Sequence, residues 1–431
     1  MRLSKLRVLA LLTATSALAG PAVSAIQSAR PAAAAIPVDH VVVMMQENRS
    51  FDHYLGKLHF EGQPAAQPEP VGASNPNPVN PLAPPIKAYH ETRYCEPADL
   101  DHSWNGSHTE YDNGAMDGFT KANAASVDPT GSRTMGFYDR TDLPFYYGLD
   151  NAFAVGDNYF DSVLSQTFPN RFYELAGTSF GHIRNDFPAG PNDFDVRTIF
   201  QNLDEHGISW KIYYSQVAFG LEFKYVRDHA AGHVVPIDQY YADAAAGTLP
   251  QVSYVDPIFV ASANTENDEH PPSNIQVGEQ YSSNVINALM QSPNWSSSAL
   301  FLTYDENGGF YDHVPPPSAV PPDNIPPQLQ AGDTPGAFDR LGFRVPMTVV
   351  SPYSKSHYVS HVTYDHTSTL KFIETRFGLP ALTARDAAAA DMTDFFDFSH
   401  QSFATPPTLP PAPIDPAQFA ACNSAPPNTG V

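Results

Sequence analysis

The stretch from Ile36 to Gly56 constrains the fold more than any other, because an apolar run, His40 to Met45, ends abruptly in acidic and amide groups. The run is short, continuous and partly β-branched, as expected of a strand covered on both faces of a parallel sheet. In such sheets ligands gather at the carboxyl ends of the strands. There Glu47 and Asn48 offer a carboxylate and an amide oxygen side by side, a pairing suited to a cation that prefers oxygen. Taken alone, the stretch also fits a strand followed by a polar turn in which Asn48 caps a helix.

A second stretch repeats the pattern. Phe301 to Tyr304 is apolar, ends in Asp305 and Glu306, and continues through Asn307, two glycines, and then Asp312 and His313. If the two strands are neighbours in a parallel sheet, their ends place Glu47, Asn48, Asp305 and Glu306 around one divalent cation, with Mg, Ca, Mn or iron all admissible. Between them, strand-like runs at 208–214 and 251–255 and a helical stretch at 284–290 give α/β alternation. Residues 344–352 predict a further buried strand, and Asp365 an N-cap for a helix carrying Leu370, Ile373 and Phe377.

Pro169 suits the first turn of a helix that carries Phe172, Leu175 and Ala176 and stops at Gly177. This places Thr167 at a helix N-terminus, where backbone N–H groups favour phosphoryl oxygens and a nearby cation would activate the hydroxyl as a nucleophile. His102, His270 and His313 sit in or beside acidic motifs and are candidates for charge neutralisation and proton transfer. A rival pattern, Gly177 to Gly181 with Ser179 at its centre, matches the nucleophile elbow of serine hydrolases, but the elbow requires a strand immediately before it.

Charge narrows the partners. Asp and Glu number 46 against 23 Lys and Arg, a formal charge of −23, and no basic cluster marks a nucleic-acid footprint. Any anionic substrate therefore needs local positive charge from a metal, histidines or a helix N-terminus. Residues 1–25 have the basic, apolar and small-residue regions of a signal peptide, so the mature chain is expected outside the cytoplasm, secreted or periplasmic. Arg2 and Arg7 form no twin-arginine pair, leaving general secretion as the expected route. No other run approaches the ~20 residues of a transmembrane helix. Residues 61–85, with eight prolines, predict an extended surface insertion, and residues 401–431 a Pro-rich tail whose order depends on docking or on Cys422. Cys95 and Cys422, the two cysteines, are candidates for a disulfide in an exported protein.

Four motifs, Glu47 to Tyr54, Thr167 to Arg171, Glu269 to Pro272 and Tyr304 to Val314, together resemble the bacterial phosphoesterase family of phospholipases C and related acid phosphatases, in the expected order from about Pro37 to Pro380. The resemblance implies an alkaline-phosphatase-like α/β/α sandwich with a mostly parallel central sheet, formed by a catalytic domain over 36–400. It implies a metal held by Glu47, Asn48, Thr167, Asp305 and Glu306, with Thr167 also the nucleophile. His102 and His270 would contact the phosphoryl group, and His313 is a weaker carry-over. The substrate would be a phosphoester, met at a membrane surface if it is a phospholipid. Thr167 to Arg171 is also similar to the Cys/Ser-x-Pro-x-Arg pattern of sulfatases, whose formylglycine a threonine cannot form, so phosphate esters are favoured over sulfate esters.

Overall fold

The computed structural model describes residues 36–427; the expected signal peptide lies outside the described residues. Eight strands form the main sheet: β1 (His40–Gln46), β2 (Ala154–Gly156), β3 (Trp210–Tyr214), β4 (Val234–Pro236), β5 (Val252–Asp256), β6 (Ser298–Tyr304), β7 (Met347–Val350) and β8 (Tyr358–Ser360). Their order across the sheet is β8-β2-β7-β6-β1-β5-β3-β4. Every adjacent pair is parallel except the two made by β7, which runs against both β6 and β2. The expected strand at 344–352 is therefore present but shorter, and it is the one antiparallel member of the sheet.

The two acidic strands are neighbours. β1 and β6 pair in parallel over their whole length, from His40 opposite Ser298 to Gln46 opposite Tyr304, so both reach the same edge of the sheet together. Both are buried along almost all their length, which explains why they read as unbroken apolar runs rather than alternating ones. Side chains alternate between faces. On one face Phe301 packs against Phe372, its ring centroid 4.9 Å away, in helix α3 (His366–Phe377). On the other, the Tyr304 hydroxyl reaches Glu269, which also receives Tyr146. Helices thus cover both faces.

The remaining helices used below are α1 (Trp104–Tyr111) and α2 (Thr167–Ala176), which precede α3 in the chain. Gly177 closes α2 in the left-handed region, φ 72°, where a side chain is disfavoured. Asp365 occupies the N-cap of α3, as the sequence predicts.

Two peripheral expectations fare differently. Cys95 and Cys422 form a disulfide across 327 residues of sequence, and the tail also docks through Asp415 N–H to Gln276 and Gln418 to the Thr92 carbonyl. The Pro-rich segment at 61–85 is largely irregular, but it does more than run over the surface. Gln63, Glu69 and Asn75 are buried, with Glu69 paired to Lys57 at 2.5 Å and Asn75 hydrogen-bonded to Met116 and Phe119. Its polar side chains pin it to the domain because its prolines remove backbone donors. Among the described residues no helix is long and apolar enough to cross a membrane.

Candidate functional site

At the shared end of β1 and β6 the chain leaves the sheet with its polar groups still buried. Glu47, Asn48, Asp305 and Glu306 all lie beneath the surface, and the Asp305 N–H donates to the Gln46 carbonyl at 3.1 Å, extending the ladder one residue beyond the strands. Gly308 makes this turn possible. Its φ is 62°, and a Cβ there would sit 2.1 Å from the Asn48 carbonyl oxygen, so any side chain would push the two strand ends apart.

The oxygen atoms are only partly satisfied. Asp305 Oδ1 accepts the Glu306 N–H and Glu306 Oε2 the Gly308 N–H, but Asn48 Oδ1, Asp305 Oδ2 and Glu306 Oε1 are buried without a hydrogen bond among the described residues. Buried polar oxygens are normally paired. Hard oxygens without a hydrogen bond at two neighbouring strand ends are of the type that a divalent cation such as Mg, Ca or Mn takes.

Electrostatics points the same way. Burial drives the Glu47 carboxyl up to about 7, with Arg171 opposing and Glu306 adding to the rise. Burial and the Glu47 charge take Asp305 to about 8, and burial takes Glu306 to about 7 against the pull of His102. Three carboxylates crowded out of water resist ionising together. A divalent cation would relieve that conflict.

One relief is built into the chain. Arg171 reaches Glu47 Oε1 from its Nη2 at 3.1 Å and Asp305 Oδ2 from its Nε at 3.4 Å, while Nη2 also donates to the Met45 and Gln46 carbonyls. It therefore ties the ends of both acidic strands to α2. Arg171 lies four residues after Thr167 and so shares a helix face with it.

Thr167 opens α2, as expected, and it lines a cavity of about 150 Å³ together with Glu47, His102 and His270. The two histidine rings meet edge to face, 5.6 Å apart. His102 Nδ1 lies 2.9 Å from the Leu100 carbonyl, leaving Nε2 facing Glu306 at 3.9 Å. Burial would lower the His102 pKa, but Glu306, Asp99, Asp305 and Asp101 outweigh it and hold the imidazole up to about 10. Burial lowers His270. Asp99, also missed from the sequence, approaches both rings, at 3.8 Å from His102 and 3.7 Å from His270; the three residues offer ligand atoms close enough to share an ion.

His270 is aimed by its neighbour. Glu269 adopts φ 79°, strained for a residue with a side chain. Its carboxylate accepts from the Tyr304 hydroxyl at 2.9 Å and from Tyr146, and its carbonyl accepts from Arg49 Nε at 3.0 Å. These bonds hold the strained residue and thus the direction of the loop carrying His270.

His313 lies in different company. Its Nδ1 is 2.7 Å from Asp52 Oδ2, and Asp52 is paired with Arg344 at 2.8 Å, so its ring belongs to a second buried charge cluster rather than to the one containing Glu306. Ser179 follows a helix and not a strand, so the elbow geometry is missing. His366, the first residue of α3, donates its Nε2–H to the Asp305 carbonyl at 2.7 Å, and burial depresses it to about 3; it braces the strand end as a neutral ring.

The chain is similar to known proteins along most of its length. The sequence profile of the phosphoesterase family matches residues 38–380. Phospholipase C B of Mycobacterium tuberculosis (strain ATCC 25618 / H37Rv) is 35% identical over 91% of this chain and 84% of its own length. Non-specific phospholipase C1 of Arabidopsis thaliana is 34% identical over 84% of this chain and 71% of its own. Among solved structures, a protein in the alkaline phosphatase superfamily from Vibrio parahaemolyticus aligns over 75% of this chain and 72% of that one, at 12% identity and a TM-score of 0.36.

Proposed function

Since the chain belongs to the phosphoesterase family and is a phosphoric ester hydrolase, we propose that it cleaves a phosphodiester through a Thr167 nucleophile, acting as a phospholipase C on phosphatidylcholine-type lipids. The observation that carries this reading is Thr167 at the start of α2, sharing one cavity with Glu47, His102 and His270. Glu47, Asn48, Thr167, Asp305 and Glu306 would hold a divalent cation, which when bound supplies positive charge that eases deprotonation of the Thr167 hydroxyl and offsets charge on the phosphoryl group.

In the first step Thr167 Oγ forms a bond to phosphorus as the bond to the leaving alcohol breaks, and that alcohol takes a proton from one of the paired histidines, His102 or His270. In the second, water attacks phosphorus, its proton returns to the histidine, and Thr167 is released. The N–H groups at the start of α2 oppose the phosphoryl charge throughout, and the imidazolium of His102 does so while it holds its proton. His313 takes no part, since Asp52 holds its ring in another cluster. Export is supported from outside the signal sequence by the Cys95–Cys422 disulfide, which persists in an oxidising compartment.

Thr167→Ala is expected to lower turnover by at least about 10³-fold with an unchanged melting temperature; near-normal activity would remove the threonine from this role. The runner-up, an acid phosphatase, needs only a monoester pocket. Assay of phosphatidylcholine beside p-nitrophenyl phosphate separates them, and activity confined to the monoester would reject the lipase.

A further inference from the structure

The cavity that holds Thr167 continues outward into a lining that the hydrolytic chemistry does not use. Phe168, Phe187, Phe219 and Phe259 contribute to it, and so does Glu222. Phe168 and Phe187 meet edge to face with centroids 5.0 Å apart, and Phe187 is 61% exposed, so ring surface is presented at the mouth. Phe219 and Phe259 already carry the Arg171 guanidinium, at 5.6 and 4.9 Å from their centroids.

Glu222 is out of place in such a lining. Its Oε2 is buried, with no hydrogen-bond partner among the described residues, and burial pushes its carboxyl up to about 7. Arg227, whose charge opposes that rise, directs its guanidinium to the carbonyls of Leu221, Glu222, Asp193 and Pro191 instead of to the carboxylate. A carboxylate that shares a cavity with aromatic rings and has no direct ion pair among the described residues is costly for a neutral acyl chain to cover. It suits an alkylammonium, which gains from both the carboxylate and the ring faces.

We propose that Glu222, with Phe168 and Phe187, receives the ammonium of the substrate's headgroup while Thr167 engages its phosphorus, making Glu222 a specificity-determining residue. The inference rests on the phosphodiesterase reading above and deepens it. It joins two groups of residues that line one cavity, Thr167 and His102 for the phosphoryl group and Glu222 for the ammonium.

The test compares two diesters that differ by one charge, p-nitrophenylphosphorylcholine and p-nitrophenyl 3,3-dimethylbutyl phosphate, in which carbon replaces the ammonium nitrogen. The unaltered enzyme is expected to favour the choline ester in kcat/KM by about tenfold, and Glu222→Gln to bring the ratio of the two close to one. Tetramethylammonium should inhibit the unaltered enzyme competitively where tert-butanol does not, a measurement that needs no variant. Equal kcat/KM for the two esters in the unaltered enzyme, or a ratio unmoved by Glu222→Gln, overturns the inference alone. Turnover of neither diester alongside turnover of p-nitrophenyl phosphate rejects the phosphodiesterase reading and the inference with it.

Discussion

The protein buries two clusters of acids, arginine and histidine, and they differ in what is left unpaired. Around Arg344 every group has a partner. The guanidinium reaches Asp312 at 2.9 and 3.0 Å, Asp52 at 2.8 Å, Gln67 at 3.1 Å and the Asp157 carbonyl at 3.0 Å, and Asp52 also accepts from the His313 backbone and faces its ring. At the ends of β1 and β6, three oxygens have no hydrogen bond among the described residues, Asp305 Oδ2 facing Arg171 at 3.4 Å, and three carboxyls are pushed upward. The first cluster is complete as folded and acts as a structural clamp. The second keeps groups that a bound cation and substrate would satisfy, and that difference is what would separate a site from a brace.

The contrast can be broken most severely at Asp305. Asp305→Asn should cost about 10⁴-fold in turnover through loss of the cation's several kcal/mol and of bound metal by elemental analysis. Yet chelator-treated Asp305→Asn should melt no lower than the chelated parent, and by relief of charge crowding about 2 °C higher. A lower melting temperature would mean that Asp305 belongs to the folding of the domain, as Asp312 does. The opposite behaviour is expected of Arg344→Met. Removing the guanidinium strands Asp52 and Asp312 in the interior, and breaking a buried ion pair costs about 3–5 kcal/mol, visible as a lower urea midpoint. If Arg344→Met instead keeps its midpoint and loses activity, the two clusters have been assigned the wrong way round.

Much of the site was legible because both halves lie at the ends of unbroken apolar strands, and parallel pairing brings such ends together whatever their separation in sequence. Thr167 was legible from Pro169 and Gly177, which bracket a helix. Residues gathered from distant parts of the chain were not. Phe168, Phe187, Phe219 and Phe259 reach one cavity from four separate places, and nothing in their local spacing reports it. Arg171 and Asp99 were hidden for a related reason, since Glu47, Asp305 and His270, which they face, lie far from them in sequence. His313 misled because it follows Glu306 closely. Between them Gly308 and Gly309, with φ of 62° and 73°, turn the backbone so that Asp312 and His313 meet Arg344 instead of the strand ends.

The mildest and most diagnostic test concerns His313 itself. Burial lowers its pKa, but the hydrogen bond and charge of Asp52 outweigh this and raise it above the ordinary value, while Arg344 and His313 overcome burial to lower Asp52. A raised histidine stabilises the fold fully below its unfolded value of about 6.5 and loses that contribution as pH rises through the folded value. A lowered aspartate works in the other direction: its contribution is present above about 3.9 and lost as pH falls through its folded value. His313→Gln should therefore cost about 1–2 kcal/mol between pH 5 and 6 and progressively less at higher pH, measured as the difference in urea midpoint from the parent. Turnover at saturating substrate should change far less than it does in Asp305→Asn. A stability difference independent of pH would show that His313 is not the charged partner of Asp52, and a collapse of turnover at unchanged stability would return it to the catalytic set alongside His102 and His270.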